Sequence, residues 1–392
     1  MQELQDPLNQ RNITVIVGNG FDLSVLNHYR QQLTTSYKSF YYYLRSINFS
    51  EDNLIFGKMI DSKRKNAENW SDFEAALETL TSEFAHRSEK ILADLSDIQS
   101  HFSAFLNSVI TPGLVTALDH DSQIAKWAYR SHSEFLADLS ETQLAKCYFP
   151  TNLRHGNCFN FNFFNLNYTP LLDIYLHLDR YQYNPRHFIT SDRNFWFRIN
   201  PDNVNARPSL TANSQTGCAA YLRTKLYHPH GQQNIPRSLL FGTGEIPPDP
   251  TFSKGHWAQL EYKYKGIMEA TDLFIVFGAS LGNTDSWWWK SIAHRISEPN
   301  EKPAEAIIYQ FDSGRHDRRD RRNKIIDTFK QQLDGFARYS DQTGERIHSV
   351  LYSSPYDISF LGLKPDPFDP EFRKELTYRR PPDHWTSLND IG

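Results

Sequence analysis

The stretch that decides the fold is ITVIVGNGFDL, residues 13–23. Its first five residues form a short, mostly β-branched run, which is typical of a buried strand. The run ends abruptly at Gly18-Asn19-Gly20, and Phe21-Asp22-Leu23 follows. This pattern predicts a strand, a tight turn and the start of a helix, which together make the first βα unit of an α/β fold.

A helical period dominates the next part of the chain, from about Thr34 to Pro150. Ser71 and Glu74 have capping-box spacing ahead of an apolar face. Apolar residues between Ile91 and Val109 then recur at steps of three and four, which predicts one long helix that stops near Pro112-Gly113. We expect a large helical insertion, packed as a bundle.

β character returns in four later stretches of the chain, at Cys158–Asn167, Thr224–His228, Leu273–Gly278 and Glu305–Phe311. A helix is predicted at Ser286–Ile296, between the last two, as in a βαβ unit of a parallel sheet. The predicted fold class is therefore α/β, with a Rossmann-like parallel sheet. We assign residues 1–33 to the first βα unit, 34–150 to the insertion, 151–362 to the remaining core and 363–392 to a C-terminal extension.

Composition narrows the classes of partner. The 392 residues include 42 Lys+Arg and 46 Asp+Glu, a formal charge of −4, so no global positive field attracts nucleic acid or anionic membrane. The mixed-charge run Arg315–Lys324 suits a solvated helical face better than a phosphate track. No apolar stretch reaches the roughly 18 residues of a membrane span, and the start lacks a signal-peptide core. We expect a soluble cytoplasmic protein.

The cysteines are few and scattered. Cys147, Cys158 and Cys218 include no CxxC pair, which argues against a disulfide framework and against a thiolate zinc site. We therefore predict no metal site, and free thiols in a reducing compartment.

Small and polar residues follow each predicted strand. Gly18-Asn19-Gly20 at the first strand end would let backbone N–H groups approach a phosphate at a helix N-terminus, although an ordinary strand-to-helix turn explains the same residues. Asn167, in the segment NLNYT at residues 165–169, could bind a ribose or orient water, or simply form a turn. Gly278, Ser280 and Asp285, in FGASLGNTD, suit a nucleotide's ribose and phosphates or a compact βα turn.

The segment HPHG, residues 228–231, also closes a strand. His230 there could act as a general base or hold a ribose hydroxyl. His-x-His spacing could instead present two metal ligands, but no third ligand stands at a diagnostic spacing. Because parallel strands bring their carboxyl ends to one edge, we expect all four loops to meet in a single crevice.

The segments VGNGFDL, NWSDFE, NLNYT, HPHG with LLFGTGE, and FGASLGNTD occur in this order between about Ile13 and Asp285. The set resembles the AbiH family of bacteriophage abortive-infection proteins. It is also similar to a distant sirtuin-like NAD-binding core. That resemblance implies NAD⁺ cleavage between nicotinamide and ribose, with His230 and Asn167 as the catalytic residues.

The same resemblance implies a set of ligand-binding residues in the crevice: Gly18, Asn19, Gly20, Phe21, Asp22, Tyr168, Gly231, Gly278, Ser280 and Asp285. Two features depart from the related NADases. Thr169 stands where they have an acidic residue, and GNGFDL replaces their Gly-Ala-Gly. The three cysteines cannot supply a sirtuin zinc module, which argues against protein deacylation.

Two functions of different classes follow as expectations. The first is an anti-phage effector that depletes NAD⁺ as its substrate. The second is a non-catalytic module that senses a nucleotide or binds a protein. Expected partners are a nucleotide ligand, a phage-derived trigger protein and further copies of the chain, whereas membrane and nucleic acid are not expected.

Overall fold

The computed structural model describes residues 10–67, 72–83, 88–125, 127–149, 158–176, 221–242, 252–298, 303–312, 318–331 and 341–364. The long turn-rich stretch near residues 181–217 and most of the C-terminal extension lie outside these ranges.

Parallel strands form one sheet in the order β3-β2-β1-β4-β5-β6. Their bounds are β1 Gln10–Val17, β2 Cys158–Asn165, β3 Tyr221–Tyr227, β4 Leu273–Phe277, β5 Glu305–Phe311 and β6 Ile347–Tyr352. Every neighbouring pair is parallel. The predicted Rossmann-like parallel sheet is confirmed. The chain reverses its direction of strand addition between β1 and β4, and that switch point is where such sheets bind ligands.

β6 has no counterpart among the predicted strands. Its sequence IHSVLY mixes polar and apolar residues, and it pairs with β5 alone at the edge of the sheet. An edge strand is buried less evenly than a central one, so its hydrophobic signal is weaker.

Helices fill the chain between β1 and β2, as the helical period predicts. They are α1 Asn19–His28, α2 Tyr37–Ser46, α3 Leu54–Arg64, α4 Phe73–Glu83, α5 Ser88–Val109, α6 Pro112–Ala125, α7 Trp127–Ser133 and α8 Glu141–Leu144. Pro112 follows the end of the long helix α5 and opens α6, a position where its missing N–H costs nothing.

Shorter helices connect the later strands. They are α9 Leu171–Tyr175, α10 Lys254–Ala258, α11 Leu260–Glu269, α12 Ser286–Ser297, α13 Arg318–Gln331 and α14 Asp341–Glu345. The basic run predicted as a solvated helical face falls on α13, except for residues 315–317, which are not described.

The two faces of the sheet bury separate hydrophobic clusters, because side chains of a strand alternate between faces. Val15 and Val17 pack in a cluster that continues through α2–α6, so the helical segment shares its core with one sheet face. Ile16 lies in the second cluster, with Trp288 and Trp289 of α12. The aromatic runs of the sequence therefore serve mainly as core.

Within the described residues, no single helix is both long and apolar enough to cross a membrane. Two consecutive helical segments, Glu89–Val109 and Pro112–Ala125, are long and apolar enough when taken together, by length and composition only. They are bent by 58° relative to each other.

Candidate functional site

A cavity of about 440 Å³ opens at the switch point, where the loops after β1, β2, β3 and β4 meet the helical segment. That volume lies within the roughly 300–1,000 Å³ of ligand pockets. The cavity is lined by Gly18, Asn19, Asp22, Thr35, Ser36, Tyr37, Lys38, Asp72, Glu74, Phe102, Leu106, Leu166, Asn167, Tyr168, Thr169, His230, Lys254, Gly278, Ala279, Ser280, Thr284 and Asp285.

Most of the predicted site residues meet in this cavity, and Gly20, Phe21 and Gly231 do not line it. The Phe21 side chain is fully buried in the core, where its ring packs edge-on against Tyr175. Gly231 has φ of +87° and lies against the Ser238 carbonyl, so it shapes the loop that carries His230. These three residues support the walls of the cavity.

The two glycine loops pack directly on each other. A Cβ on Gly18 would lie 2.6 Å from Cα of Ala279, and one on Gly20 would lie 2.7 Å from Cα of Gly278. The Gly18 and Gly20 N–H groups donate to the carbonyls of Phe277 and Gly278. Close packing of β1 and β4 therefore explains these glycines, and their N–H groups are already engaged.

Asn167 and Thr169 hold the carboxyl group of Asp22. Asn167 Nδ2 donates to Asp22 Oδ1 at 2.9 Å and to the Gly18 carbonyl at 3.1 Å, and Thr169 Oγ1 donates to Asp22 Oδ2 at 2.7 Å. Burial raises the pKa of Asp22 to about 7, against the lowering effect of these hydrogen bonds. The network fixes the loop after β2 to the first turn of α1.

His230 is buried, at 3% exposure, and has a defined orientation. Its Nδ1 lies 3.0 Å from the Leu166 carbonyl, which can only accept, so Nδ1 carries a proton. Nε2 lies 3.3 Å from Asp285 Oδ1. Burial and the nearby Lys254 lower the pKa of His230, while Asp285 opposes them. The ring is therefore neutral near pH 7, with its Nε2 lone pair directed at the carboxylate.

Lys254 joins the core to the helical segment inside the cavity. Its Nζ lies 2.9 Å from Glu74 Oε1 and 3.7 Å from Asp285 Oδ1. Burial raises the pKa of Glu74 to about 7, although Lys254 lowers it. Although burial alone would raise it, Lys254 holds the pKa of Asp285 below its ordinary value. His230, Asp285, Lys254 and Glu74 thus form one continuous cluster, which is buried except for the partly exposed Asp285.

Lys254 gave no signal in the sequence, because nothing in its neighbourhood marks it as buried. Glu74 was interpreted as a capping residue, with Ser71 as its partner. Ser71 lies outside the described residues, and Asp72 Oδ1 instead accepts from the Glu74 and Ala75 N–H groups at the start of α4. The Glu74 carboxylate contacts Lys254, and the predicted pairing of Glu74 with Ser71 falls partly outside the described residues.

The two histidines of HPHG face different partners. His228 Nε2 lies 2.9 Å from Asp173 Oδ1, whereas His230 faces Leu166 and Asp285. The spacing therefore does not produce a shared metal site. Within the described chain, the His/Cys/Asp/Glu group with metal-ligand spacing is Cys147, Glu305 and His348, which does not line the cavity.

Helix α5 supports the HPHG loop from the side of the helical segment. Gln99 Nε2 donates to the Leu239 carbonyl at 2.7 Å, and Ser103 Oγ donates to the Gln233 carbonyl at 2.5 Å. The position of His230 thus depends on helices that the sequence places far from it.

Comparison with known proteins identifies the family of the chain. No curated protein and no solved structure shows significant similarity to the chain. The family model for bacteriophage abortive infection AbiH matches residues 14–304, which is more than half of the chain and includes every strand end that lines the cavity. The chain therefore belongs to the AbiH family of bacteriophage abortive-infection proteins.

Proposed function

We propose that this protein acts in phage abortive infection by hydrolysing NAD⁺ at the bond between nicotinamide and ribose. The observation that carries the proposal is the mostly buried cluster of His230, Asp285, Lys254 and Glu74 inside the crevice at the switch point. A cluster of acids and bases with shifted pKa values in such a cavity supports proton-transfer chemistry on a bound ligand.

The charge of the cavity suits this bond cleavage. When the C1′–N1 bond breaks, its electron pair leaves with nicotinamide and positive charge develops on the ribosyl group. Asp285 and Glu74 line the cavity, and in this proposal their carboxylates stabilise that charge. Water then attacks C1′ and loses a proton to a base, which gives ADP-ribose, nicotinamide and one proton.

His230 supplies the base in this proposal. The neutral ring and the Asp285 carboxylate are both hydrogen-bond acceptors, and neither His230 Nε2 nor Asp285 Oδ1 receives a hydrogen bond from the described residues. Two acceptors 3.3 Å apart favour a donor beside them, either a water molecule or a ribose hydroxyl. A proton taken by Nε2 would be stabilised by Asp285.

We place the two phosphates toward α2 rather than against the GNG turn, whose N–H groups are engaged. Thr35, Ser36 and Lys38 line the cavity at the N-terminus of α2, and Ser280 and Thr284 line it from the segment after β4. Hydroxyls, a lysine and a helix N-terminus are the groups that bind phosphate in proteins.

One observation favours the second candidate, a non-catalytic nucleotide-sensing module. The carboxyl of Asp22 and the amide of Asn167 satisfy each other, so the residue expected to orient water already has two partners. A nucleotide could then bind without being cleaved.

The test is incubation of the purified full-length protein with NAD⁺, with and without phage lysate as a trigger, while free nicotinamide is measured. His228→Ala is the matched control for His230→Ala, because it changes the other histidine of the same motif. We expect release by wild type and His228→Ala and a loss of at least a hundredfold in His230→Ala. Calorimetric binding of NAD⁺ without release would support the sensing module, and neither binding nor release would reject both.

A further inference from the structure

Three side chains meet where β5 and β6 begin, at the end of the sheet opposite the crevice. They belong to Cys147, Glu305 and His348. Cys147 follows α8, Glu305 is the first residue of β5 and His348 is the second residue of β6. Cys147 Sγ lies 3.2 Å from Glu305 Oε2, and His348 Nε2 lies 2.9 Å from Glu305 Oε1. One ligand atom from each residue lies within 4.8 Å of both others.

This arrangement does not suit a nucleophilic cysteine. The carboxylate stands between the thiol and the imidazole, so the histidine is not placed to take the thiol proton. A neighbouring carboxylate also disfavours a thiolate in the absence of a cation. The geometry of the cluster therefore does not support a role for Cys147 as a reactive thiol.

The donors match the coordination chemistry of zinc. Thiolate, imidazole and carboxylate are its ordinary protein ligands, at about 2.3, 2.0 and 2.0–2.2 Å. Tetrahedral angles at those lengths separate the ligand atoms by roughly 3.3–3.7 Å. Cys147 Sγ and His348 Nε2 lie 3.2 and 2.9 Å from different oxygens of Glu305, and one ligand atom from each residue lies within 4.8 Å of the others, so modest side-chain movements bring them to these separations.

The surroundings favour such an ion. Glu305 and His348 are 0% and 2% exposed, while Cys147 is partly exposed and leaves a path for entry. The Phe149 N–H donates to Glu305 Oε2 at 2.6 Å, which fixes the carboxylate as outer-shell contacts do in metal sites. The nearby cations are directed elsewhere, Lys146 to Glu345 and Arg346 to the Ile296 carbonyl.

We propose that Cys147, Glu305 and His348 bind one Zn²⁺, with water as the fourth ligand. Binding replaces the thiol proton, which is released to solvent. The ion would tie the end of the helical segment to β5 and β6, away from the crevice, so its role is structural and independent of the proposed NAD⁺ hydrolysis.

The experiment uses full-length protein without a histidine tag, purified with a reductant and dialysed. Zinc content is measured by mass spectrometry, and the chelator-treated protein is then titrated with Co²⁺ without oxygen. We expect one ion per chain and a thiolate-to-cobalt charge-transfer band. Cys147→Ser should lose the band, His348→Gln should weaken Co²⁺ binding at least tenfold, and Cys158→Ser, a cysteine outside the cluster, should keep both.

Circular dichroism shows whether each variant is folded, and both cluster substitutions are close in size to the native side chains. Wild-type protein without bound zinc and without a cobalt band would overturn the proposal, as would a band that persists in Cys147→Ser. In either case the three side chains would form a hydrogen-bonded core cluster and no metal site.

Discussion

Thr169 Oγ1 donates a 2.7 Å hydrogen bond to Asp22 Oδ2 inside the crevice. These two residues belong to NLNYT and GNGFDL, the two segments that depart from the pattern of the NADases that the sequence resembles. The loop after β2 therefore carries a hydroxyl where those NADases have an acid, and helix α1 supplies a carboxyl group that faces it. The two departures from the pattern are therefore in direct contact. A carboxyl group is present beside Thr169, but it belongs to Asp22 of α1 and not to the segment after β2.

Replacing Asp22 by Asn should flatten the dependence of stability on pH. Burial raises the pKa of this carboxyl from 3.8 to about 7, so the folded protein holds a proton that the unfolded chain releases. The protonated carboxyl contributes on the order of a few kcal/mol to the free energy of unfolding. This contribution is fully present below about pH 4 and is lost as the pH rises to about 7. Urea unfolding at several pH values measures it.

The comparison is the difference in unfolding free energy between wild type and Asp22→Asn, since every other titrating group cancels in it. The asparagine can still accept from Asn167 and bond Thr169. We expect the unfolding free energy of the variant to rise steadily relative to that of wild type as the pH increases from 4 to 7. A difference that is constant over this range would mean that Asp22 titrates normally.

The fold could be predicted from the sequence because its central strands are buried on both faces and leave continuous apolar runs, as at Leu273–Phe277. Glu305–Phe311 was predicted to the residue. β6 was missed, since an edge strand carries a mixed pattern. Polar Gln10–Asn12 were also not assigned to β1, which they extend by pairing with β2.

Only the site residues in loops that follow strands could be predicted from the sequence. Asn167, His230 and Asp285 follow recognisable strands, so topology alone brings them to one edge. Glu74 and Lys254 come from helices whose position relative to the sheet depends on tertiary packing. Cys147, Glu305 and His348 are similarly distant in sequence, since the first two are 158 positions apart, and no local motif connects them.

Asn167→Ala should lower stability as well as activity. The amide is 5% exposed and donates to both Asp22 and the Gly18 carbonyl, so its removal leaves buried acceptors unpaired at a cost of about 1–3 kcal/mol. Asn167→Asp should cost at least as much, because it places a second carboxyl beside Asp22. Chemical denaturation tests this, and an unchanged unfolding free energy would assign Asn167 to the ligand alone.

Gly18→Ala and Gly20→Ala should each disrupt the packing of β1 against β4. The added methyl group would lie 2.6 or 2.7 Å from backbone atoms of Ala279 or Gly278, which cannot move aside as a side chain can. We expect losses of about 1–3 kcal/mol or more. Gly266→Ala is the control, because nothing lies within 4 Å and helix propensity favours alanine by up to about 1 kcal/mol. Thermal unfolding of the three variants should rank them in this way.

Lys254→Met should destabilise the protein by about 3–5 kcal/mol, since it leaves Glu74 and Asp285 buried without their cation. Adding Glu74→Leu should recover part of this loss, because apolar groups of similar size can replace a buried ion pair. Recovery is incomplete because Asp285 remains. Removing the exposed pair Arg45–Glu51 should change stability by less than about 1 kcal/mol.

The double variant also separates stability from chemistry. If Glu74 and Lys254 serve the reaction, the double variant should regain part of the lost stability and still release no nicotinamide, because one of the two carboxylates proposed to stabilise the ribosyl charge is gone. A double variant that regains both would show that the pair only fills the space between helix and sheet. Lys254→Met and Glu74→Leu, singly and together, form a double-mutant cycle. If this cycle gave no coupling energy between Lys254 and Glu74, it would contradict their 2.9 Å contact.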